Sequence, residues 1–260
     1  MQRSQRLRAI TKAVASGQHT VIELSRLTGA SAITIRRDLT DLADLGAIRR
    51  VRGGAEPVAQ RGSFYPFALR VDDHSEEKKA IAEVAASLIK PGDSVVLDNG
   101  TTSIAVARRL SGTGVTAMAL SLHVAAALAV EGGDEILVPG GPVDHDDLAF
   151  TSAGAAEAVR TMRYDVALIS ACAADPATGL SVTRWGDAHV KQAALASSSR
   201  VVLLVTADKF SLTAAYVFAR ISDIDTVITT GDAPLDLIKE IELNGPDVII
   251  TDPRASSPCL

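Results

Sequence analysis

The stretch TVIELSRLTGASAITIRRDLTDLADLGAIRRVRGGA, residues 20–55, decides how the first part of the chain folds. It opens on Thr20-Val21-Ile22-Glu23, the S/T-x-x-E spacing in which a hydroxyl and a carboxylate satisfy the exposed N–H groups at a helix start. That predicts a helix running to about Thr28, with Gly29 as its stop. Ser31 is a second N-cap, and Ile35, Leu39 and Leu42 follow at i, i+4 and i+7. Such a stripe turns inward and leaves Ile33, Arg36, Arg37 and Thr40 on the opposite face. Gly46 ends this helix, and residues 47–55 alternate apolar and basic side chains up to Gly53-Gly54, as a small hairpin does.

Upstream, Leu7, Ile10 and Val14 recur at helical spacing between about Gln2 and Ala15, and Gly17 closes the segment. The helices on either side of Gly29, joined by about three residues, make a helix-turn-helix, whose second helix lies in a DNA groove. The hairpin then serves as a wing, with Arg49, Arg50 and Arg52 in reach of phosphates. Charge agrees. Residues 1–56 hold ten Lys/Arg against five Asp/Glu, net +5, while the remainder carries −10. A basic head on an acidic body suits a protein that touches double-stranded DNA at one end only. Charge alone would equally suit a solvated surface; the ordered set of cap, turn, arginine pair and basic wing is what points to DNA. Residues 1–56 contain no Phe, Tyr or Trp, which weakens an RNA-binding reading, since RNA modules stack bases on such rings.

The residues SAITIRRDL at Ser31–Leu39 and RVRGGA at Arg50–Ala55 resemble the DeoR family of transcription regulators. The resemblance implies that Thr34, Arg36, Arg37 and Asp38 belong to the DNA-reading helix and its supports. Asp38 is expected to orient arginines, because an acid facing phosphates would be repelled. With Ser31, Ile33, Thr40, Arg49, Arg50 and Arg52 these residues, Asp38 apart, form the expected DNA contacts.

Residues 1–57 are therefore expected to be a winged helix-turn-helix, 58–74 a linker and 75–260 an α/β domain. The linker is rich in punctuating residues. Within it Tyr65–Arg70 resembles the family's aromatic-to-arginine segment, and Ser75-Glu76-Glu77-Lys78-Lys79 its capped first sensor helix. From residue 76 onward helices and short apolar strands alternate. Helices are expected at 76–89, 102–110, 122–130, 153–162, 187–197 and 234–243. Strands are expected at 94–97, 115–120, 135–138, 165–170, 201–206, 226–230 and 248–251. That order implies a mostly parallel sheet covered on both faces, with ligands at the C-terminal ends of its strands. Apolar residues at 47% with only 3% aromatic suit such Ala/Val/Leu/Ile cores.

The loop Asp98-Asn99-Gly100-Thr101-Thr102 leaves a strand and opens a helix, so its amides and hydroxyls converge as a cradle for phosphate. The same residues match the family's sugar-phosphate sensor loop, and the resemblance implies a fold similar to ribose-5-phosphate isomerase and CoA transferases. It further aligns Ser121, Gly140, Gly141, Gly179-Leu180 in a loop, Lys191, and Asp208-Lys209-Phe210, with Lys191 and Lys209 as the expected ligand cations. Departures lie on the ligand side: Ala119-Leu120-Ser121 and Ser152-Ala153 replace the usual Thr-Asn-Ser and Gly-Pro. Asp144-His145-Asp146-Asp147 stands where the family often has an arginine, and reads as an exposed acidic loop rather than a metal site.

The expectation is a cytoplasmic regulator of a carbohydrate or related catabolic operon, controlled by a phosphorylated sugar and acting as a homo-oligomer, dimer or tetramer. It has no cofactor, metal or catalytic residue. The alternative is a sugar-phosphate isomerase with an accessory basic domain, whose base would be Asp98 or Asp208. The first ten residues lack a signal peptide's apolar core, no stretch reaches membrane-span length, and Cys172 and Cys259 match neither a disulfide framework nor a zinc site.

Overall fold

The computed structural model describes residues 3–44, 47–57, 67–71 and 73–252. Gly46, residues 58–66 with Tyr65, and Cys259 lie outside them. The chain divides into two compact units, Met1–Asp73 and His74–Leu260.

The first unit contains α1 (Arg3–Ala15), β1 (His19–Thr20), α2 (Val21–Thr28), α3 (Ala32–Asp44), β2 (Arg49–Val51), β3 (Gly54–Glu56) and α4 (Phe67–Arg70). Leu7, Ile10 and Val14 of α1 meet Leu24, Ile35, Leu39 and Leu42 in one buried cluster. Thr20 caps α2 in a complete capping box, and Gly29 closes it at φ 70. The wing strands pair antiparallel, and β1 joins them in the order β1-β3-β2. That third strand was not expected, and Gly54 permits it: a Cβ there would overlap the carbonyl of His19. The helical turn α4 falls inside the stretch read as linker.

In the second unit seven parallel strands form one sheet: β4 (Ser94–Leu97), β5 (Thr116–Ala119), β6 (Glu135–Leu137), β7 (Tyr164–Ser170), β10 (Ser198–Leu204), β12 (Thr226–Thr230) and β13 (Asp247–Thr251). Their order is β13-β12-β10-β7-β4-β5-β6. Side chains alternate along each strand, so one strand feeds two cores. Val95, Leu97, Val166, Leu168, Val202 and Leu204 pack with α5 (Ser75–Ser87), α6 (Thr101–Leu110) and α7 (Leu122–Leu128). Val96, Ala167, Ile169, Val201 and Leu203 pack with α8 (Ala153–Arg160), α9 (Trp185–Ala196) and α10 (Leu235–Leu243). Burial on both faces explains the unbroken apolar runs of these strands.

Three strands went unpredicted. β8 (Ala173–Asp175), β9 (Gly179–Val182) and β11 (Tyr216–Ala219) form a small antiparallel sheet in the order β11-β9-β8. Gly179-Leu180, expected in a loop, thus opens β9, where Leu180 is fully buried. Helix α5 begins at Ser75, one residue before the expected 76, and its cap is His74 in the left-handed region, without a side-chain cap bond. The strand expected at 201–206 runs instead over Ser198–Leu204, paired along its length with β7.

Candidate functional site

The outer face of α3 carries Ile33, 78% exposed, with Arg36, Arg37 and Thr40 beside it, while Ile35, Leu39 and Leu42 are fully buried beneath. Ser31 caps the helix by accepting from the Thr34 amide at 3.2 Å. Asp38 is buried and takes a two-pronged bond from Arg6 of α1, Nε to Oδ2 at 2.6 Å and Nη2 to Oδ1 at 3.2 Å. The aspartate thus fixes α3 to α1 through an arginine outside the recognition helix, a partner the sequence could not name. Arg50 of the wing donates to Thr40 at 2.8 Å, and Arg49 pairs with Glu56. Arg52 is exposed at the turn. The unit thus brings Arg36, Arg37, Thr40 and Arg50 onto one continuous basic surface.

In the second unit the chain runs outward in both directions from β4: β5 and β6 to one side, β7 and the later strands to the other. The switch point between β4 and β7 opens a crevice at their C-terminal ends. There Asp98 and Ser170 meet, Asp98 Oδ2 accepting from the Ser170 amide at 2.8 Å and from its hydroxyl at 2.5 Å. Lys191 of α9 donates to the other carboxylate oxygen, Oδ1, at 2.5 Å, and lies 3.6 Å from Asp187 one turn earlier. Asn99 donates to Asp187 at 3.0 Å, which ties the loop to α9. Asp98 and Lys191 are both buried, a charge pair closed to water.

Burial pushes the Asp187 carboxyl up to about 6; Lys191 opposes the shift, Asp98 and Asp147 add to it, and the Asn99 bond opposes it. Lys191 is itself held above its usual range: burial lowers it, but Asp187 and then Asp98 more than compensate. Asp98, a candidate base of the isomerase alternative, is fully buried with both oxygens engaged.

Next to this pair, α6 starts at Gly100 without a side-chain cap, so the amides of Thr101, Thr102 and Ser103 lack intrahelical partners. A Cβ on Gly100 would stand 2.5 Å from Ser170 Oγ. Ser103 Oγ is fully buried and has no hydrogen-bond partner among the described residues. Sequence reasoning passed over Ser103; only its unsatisfied burial marks it. Thr101, Thr102, Asn99 and Gly100 are thus gathered with Ser170 and Ser103 at the mouth of the crevice.

The remaining expected positions divide. Ser121 is buried and caps α7 by accepting from the Val124 amide at 3.2 Å. Gly140 and Gly141 follow β6 with φ of 79 and 86, Gly141 facing Ser152, the cap of α8. Asp208 and Lys209 sit in a 3-10 turn after β10, 3.4 Å apart, with Thr206 donating to Asp208 at 2.5 Å. A cavity of about 610 Å³ opens beside that turn, lined by Asp208, Asp232, Asp236 and Glu240 among others, and it does not include Asp98 or Lys191.

The acidic segment does not dangle. Val143 pairs with Phe150, Asp144 N–H bonds Ala149 O at 2.9 Å, and Leu148 takes a left-handed φ of 52 to close the turn. Arg184, at the N-cap of α9, reaches Asp144 at 2.8 Å and Asp147 at 3.3 Å. Among the described residues no His/Cys/Asp/Glu group is arranged to hold a metal, and no helix is long and apolar enough to cross a membrane.

Residues 6–61 match the family described as the DeoR-like helix-turn-helix domain, and residues 73–231 the DeoR C terminal sensor domain. The chain is 34% identical over 201 residues to the transcriptional repressor AccR of Agrobacterium fabrum, covering 76% of this chain and 78% of that one. It is 29% identical to the HTH-type transcriptional repressor GlcR of Bacillus subtilis over 90% of both chains. To the HTH-type transcriptional regulator GlpR of Haloferax volcanii it is 30% identical, over 95% of this chain and 97% of that one. Among solved structures, ribose 5-phosphate isomerase from Methanocaldococcus jannaschii shares 17% identity and a TM-score of 0.38, over 53% of this chain and 55% of that one, a likeness too slight to argue from.

Proposed function

The chain belongs to the DeoR family of transcriptional regulators, and from that premise we propose that it represses a carbohydrate or related catabolic operon and releases it when a phosphorylated sugar binds the α/β unit. The observation that carries the DNA half is the outward face of α3, with Ile33, Arg36, Arg37 and Thr40 exposed above a fully buried Ile35-Leu39-Leu42 stripe and Arg50 of the wing bonded alongside. A helix so presented enters a major groove, while the wing arginines reach the backbone. A single such unit covers one half-site, so the working form is a homo-oligomer that sets two of them about one helical turn apart.

The effector half rests on the start of α6. Three first-turn amides without intrahelical partners, the Thr101 and Thr102 hydroxyls and the buried Ser103 hydroxyl are donors of the kind a phosphate's oxygens accept from. Asp98 and Lys191 serve as positioning residues: their buried pair holds the loop against α9 and leaves the amides to bind the anion. Ser121, Gly140, Gly141, Asp208 and Lys209 are carried in this reading as further effector positions. The sensor reading is favoured over the enzyme by the repressor relatives and by the engagement of Asp98 in that pair. Ligand and DNA are then coupled through the difference in effector affinity between two states of the full chain.

The test is DNA binding by the full chain to its own upstream region, at several salt concentrations, with and without sugar monophosphates. Arg36→Ala or Arg37→Ala is expected to cost about 1–3 kcal/mol on that sequence, whereas Arg52→Ala weakens all DNA alike and reduces the salt slope by about 1. Thr101→Ala is expected to blunt effector release with DNA affinity intact. Salt-insensitive or absent DNA binding defeats the first half, and sugar phosphates that are measurably isomerised defeat the second.

A further inference from the structure

The crevice has two ends of opposite electrostatic character. The α6 end offers hydrogen-bond donors: the first-turn amides of Thr101 to Ser103 and the buried Ser103 hydroxyl, which has no partner among the described residues. The far end is the turn closed by Val143 and Phe150, which bridges to Ser121 through Ala149 and presents Asp144 and Asp147. Arg184 pairs with both carboxylates there, at 2.8 and 3.3 Å. The two ends belong to one site. Asp187, three residues after Arg184, is bonded to Asn99 of the cradle loop, and Asp147 is near enough to disfavour its ionised form. Arg184, Asp187 and Lys191 fall at i, i+3 and i+7 and so line one face of α9. Each of its two cations is met by two carboxylates, Arg184 by Asp144 and Asp147 and Lys191 by Asp98 and Asp187.

Resting on the reading that a phosphate occupies the α6 end, we propose that Asp144 and Asp147, by holding Arg184, restrict the effector to a single anionic group. The ligand is a sugar monophosphate whose other end is neutral and hydroxylated. Bisphosphates and phosphorylated sugar acids are rejected. The chemistry is that of acceptor-only groups: carboxylates take hydrogen bonds from sugar hydroxyls but have none to give a second oxyanion. An arginine already neutralised by two carboxylates gains little from a third anion, which meets the repulsion of those carboxylates at close range. Arg184 thus acts as the clasp of a selectivity filter and not as a phosphate ligand.

The test measures affinities of the full chain for inorganic phosphate, ribose 5-phosphate, fructose 1,6-bisphosphate and 6-phosphogluconate by titration calorimetry. In the unaltered protein the two doubly anionic probes are expected to bind about tenfold or more weakly than ribose 5-phosphate. In Asp144→Asn/Asp147→Asn the gap closes to about threefold or reverses, because Arg184 is released to meet the second anion. Adding Arg184→Ala to that pair reopens it. The single change Asp144→Asn, at a carboxylate 27% exposed, is expected to shift the ratio in the same direction and guards against misfolding of the double variant. Equal affinity for mono- and dianionic probes in the unaltered protein, or a ratio that neither variant moves, overturns the proposal. If no phosphorylated probe binds at all, inorganic phosphate included, the phosphate reading itself fails and this selectivity with it.

Discussion

Removing Lys191 tests the physical core of the α/β unit. Its ammonium is 2% exposed, 2.5 Å from a fully buried Asp98 carboxylate and 3.6 Å from Asp187. Lys191→Met keeps much of the side-chain volume but leaves two carboxylates near one another with no cation between them. Breaking a buried pair from one side costs about 3–5 kcal/mol, because the remaining charge is stranded away from water. For a unit of roughly 150–250 residues each kcal/mol lowers the melting temperature by about 2–4 °C, so a fall of roughly 6–20 °C is expected. The companion change Asp98→Asn removes the stranded charge while keeping the hydrogen bonds to Ser170, and Asp98→Asn/Lys191→Met is expected to recover most of the loss. Trp185, the chain's one tryptophan, lies at the start of the same helix, and its fluorescence reports the transition of this unit. The deficit of the single variant should also shrink on acidification, because the uncompensated carboxylates take up protons in the folded state. If Lys191→Met melts within about 3 °C of the unaltered protein, corresponding to about 1 kcal/mol, or if the double variant is no better than the single, the buried-pair reasoning is wrong.

Three further outcomes follow from the same geometry. Arg6→Met should destabilise the first unit by about 1–3 kcal/mol, since Asp38 at 2% exposure loses its two-pronged partner; operator affinity would fall only as far as unfolding of the head accounts for it, as chemical denaturation and DNA titration together reveal. Gly186→Ala should cost about 1–3 kcal/mol and disturb α9, because a Cβ there would overlap the backbone carbonyl of Thr151, which cannot swing aside as a side chain can; a melting temperature unchanged by this variant speaks against the packing of α9. The raised Asp187 has a defined sign: the folded state keeps its proton between the ordinary 3.8 and about 6, so this group's contribution to stability falls as pH rises through that window and is level above it. Asp187→Asn should remove that slope from a stability-against-pH series, and an identical slope in the variant would show that another group carries it.

The features that could be read directly were the local ones. The capping box at Thr20 and Glu23, the αL stop at Gly29 and the split of α3 into a buried and an exposed face each depend on residues three or four apart, and all stand in the structure. The apolar runs of β4, β7 and β10 announced strands buried on both faces for the same reason. What failed was pairing at a distance. β8, β9 and β11 are three or four residues long, too short for a periodicity to show, and they become strands only because Gly179 to Val182 lies between two partners.

The candidate sites divide along the same line. Residues 31–40 and 98–102 were legible because a helix start and a helix face are written within one or two turns. The sequence could mark Lys191 and the acidic segment as charged, but not say what neutralises them: Asp98 is 93 residues from Lys191, and Arg184 is 37 from Asp147. By itself the sequence determined a helix-turn-helix head, an α/β body and a strand-to-helix turn at residues 98–102, since each is fixed by short-range backbone geometry and periodicity. Only the tertiary structure decided which charges remain available to a ligand, because a charge's worth depends on what the fold brings within a few ångströms and how far it shuts out water.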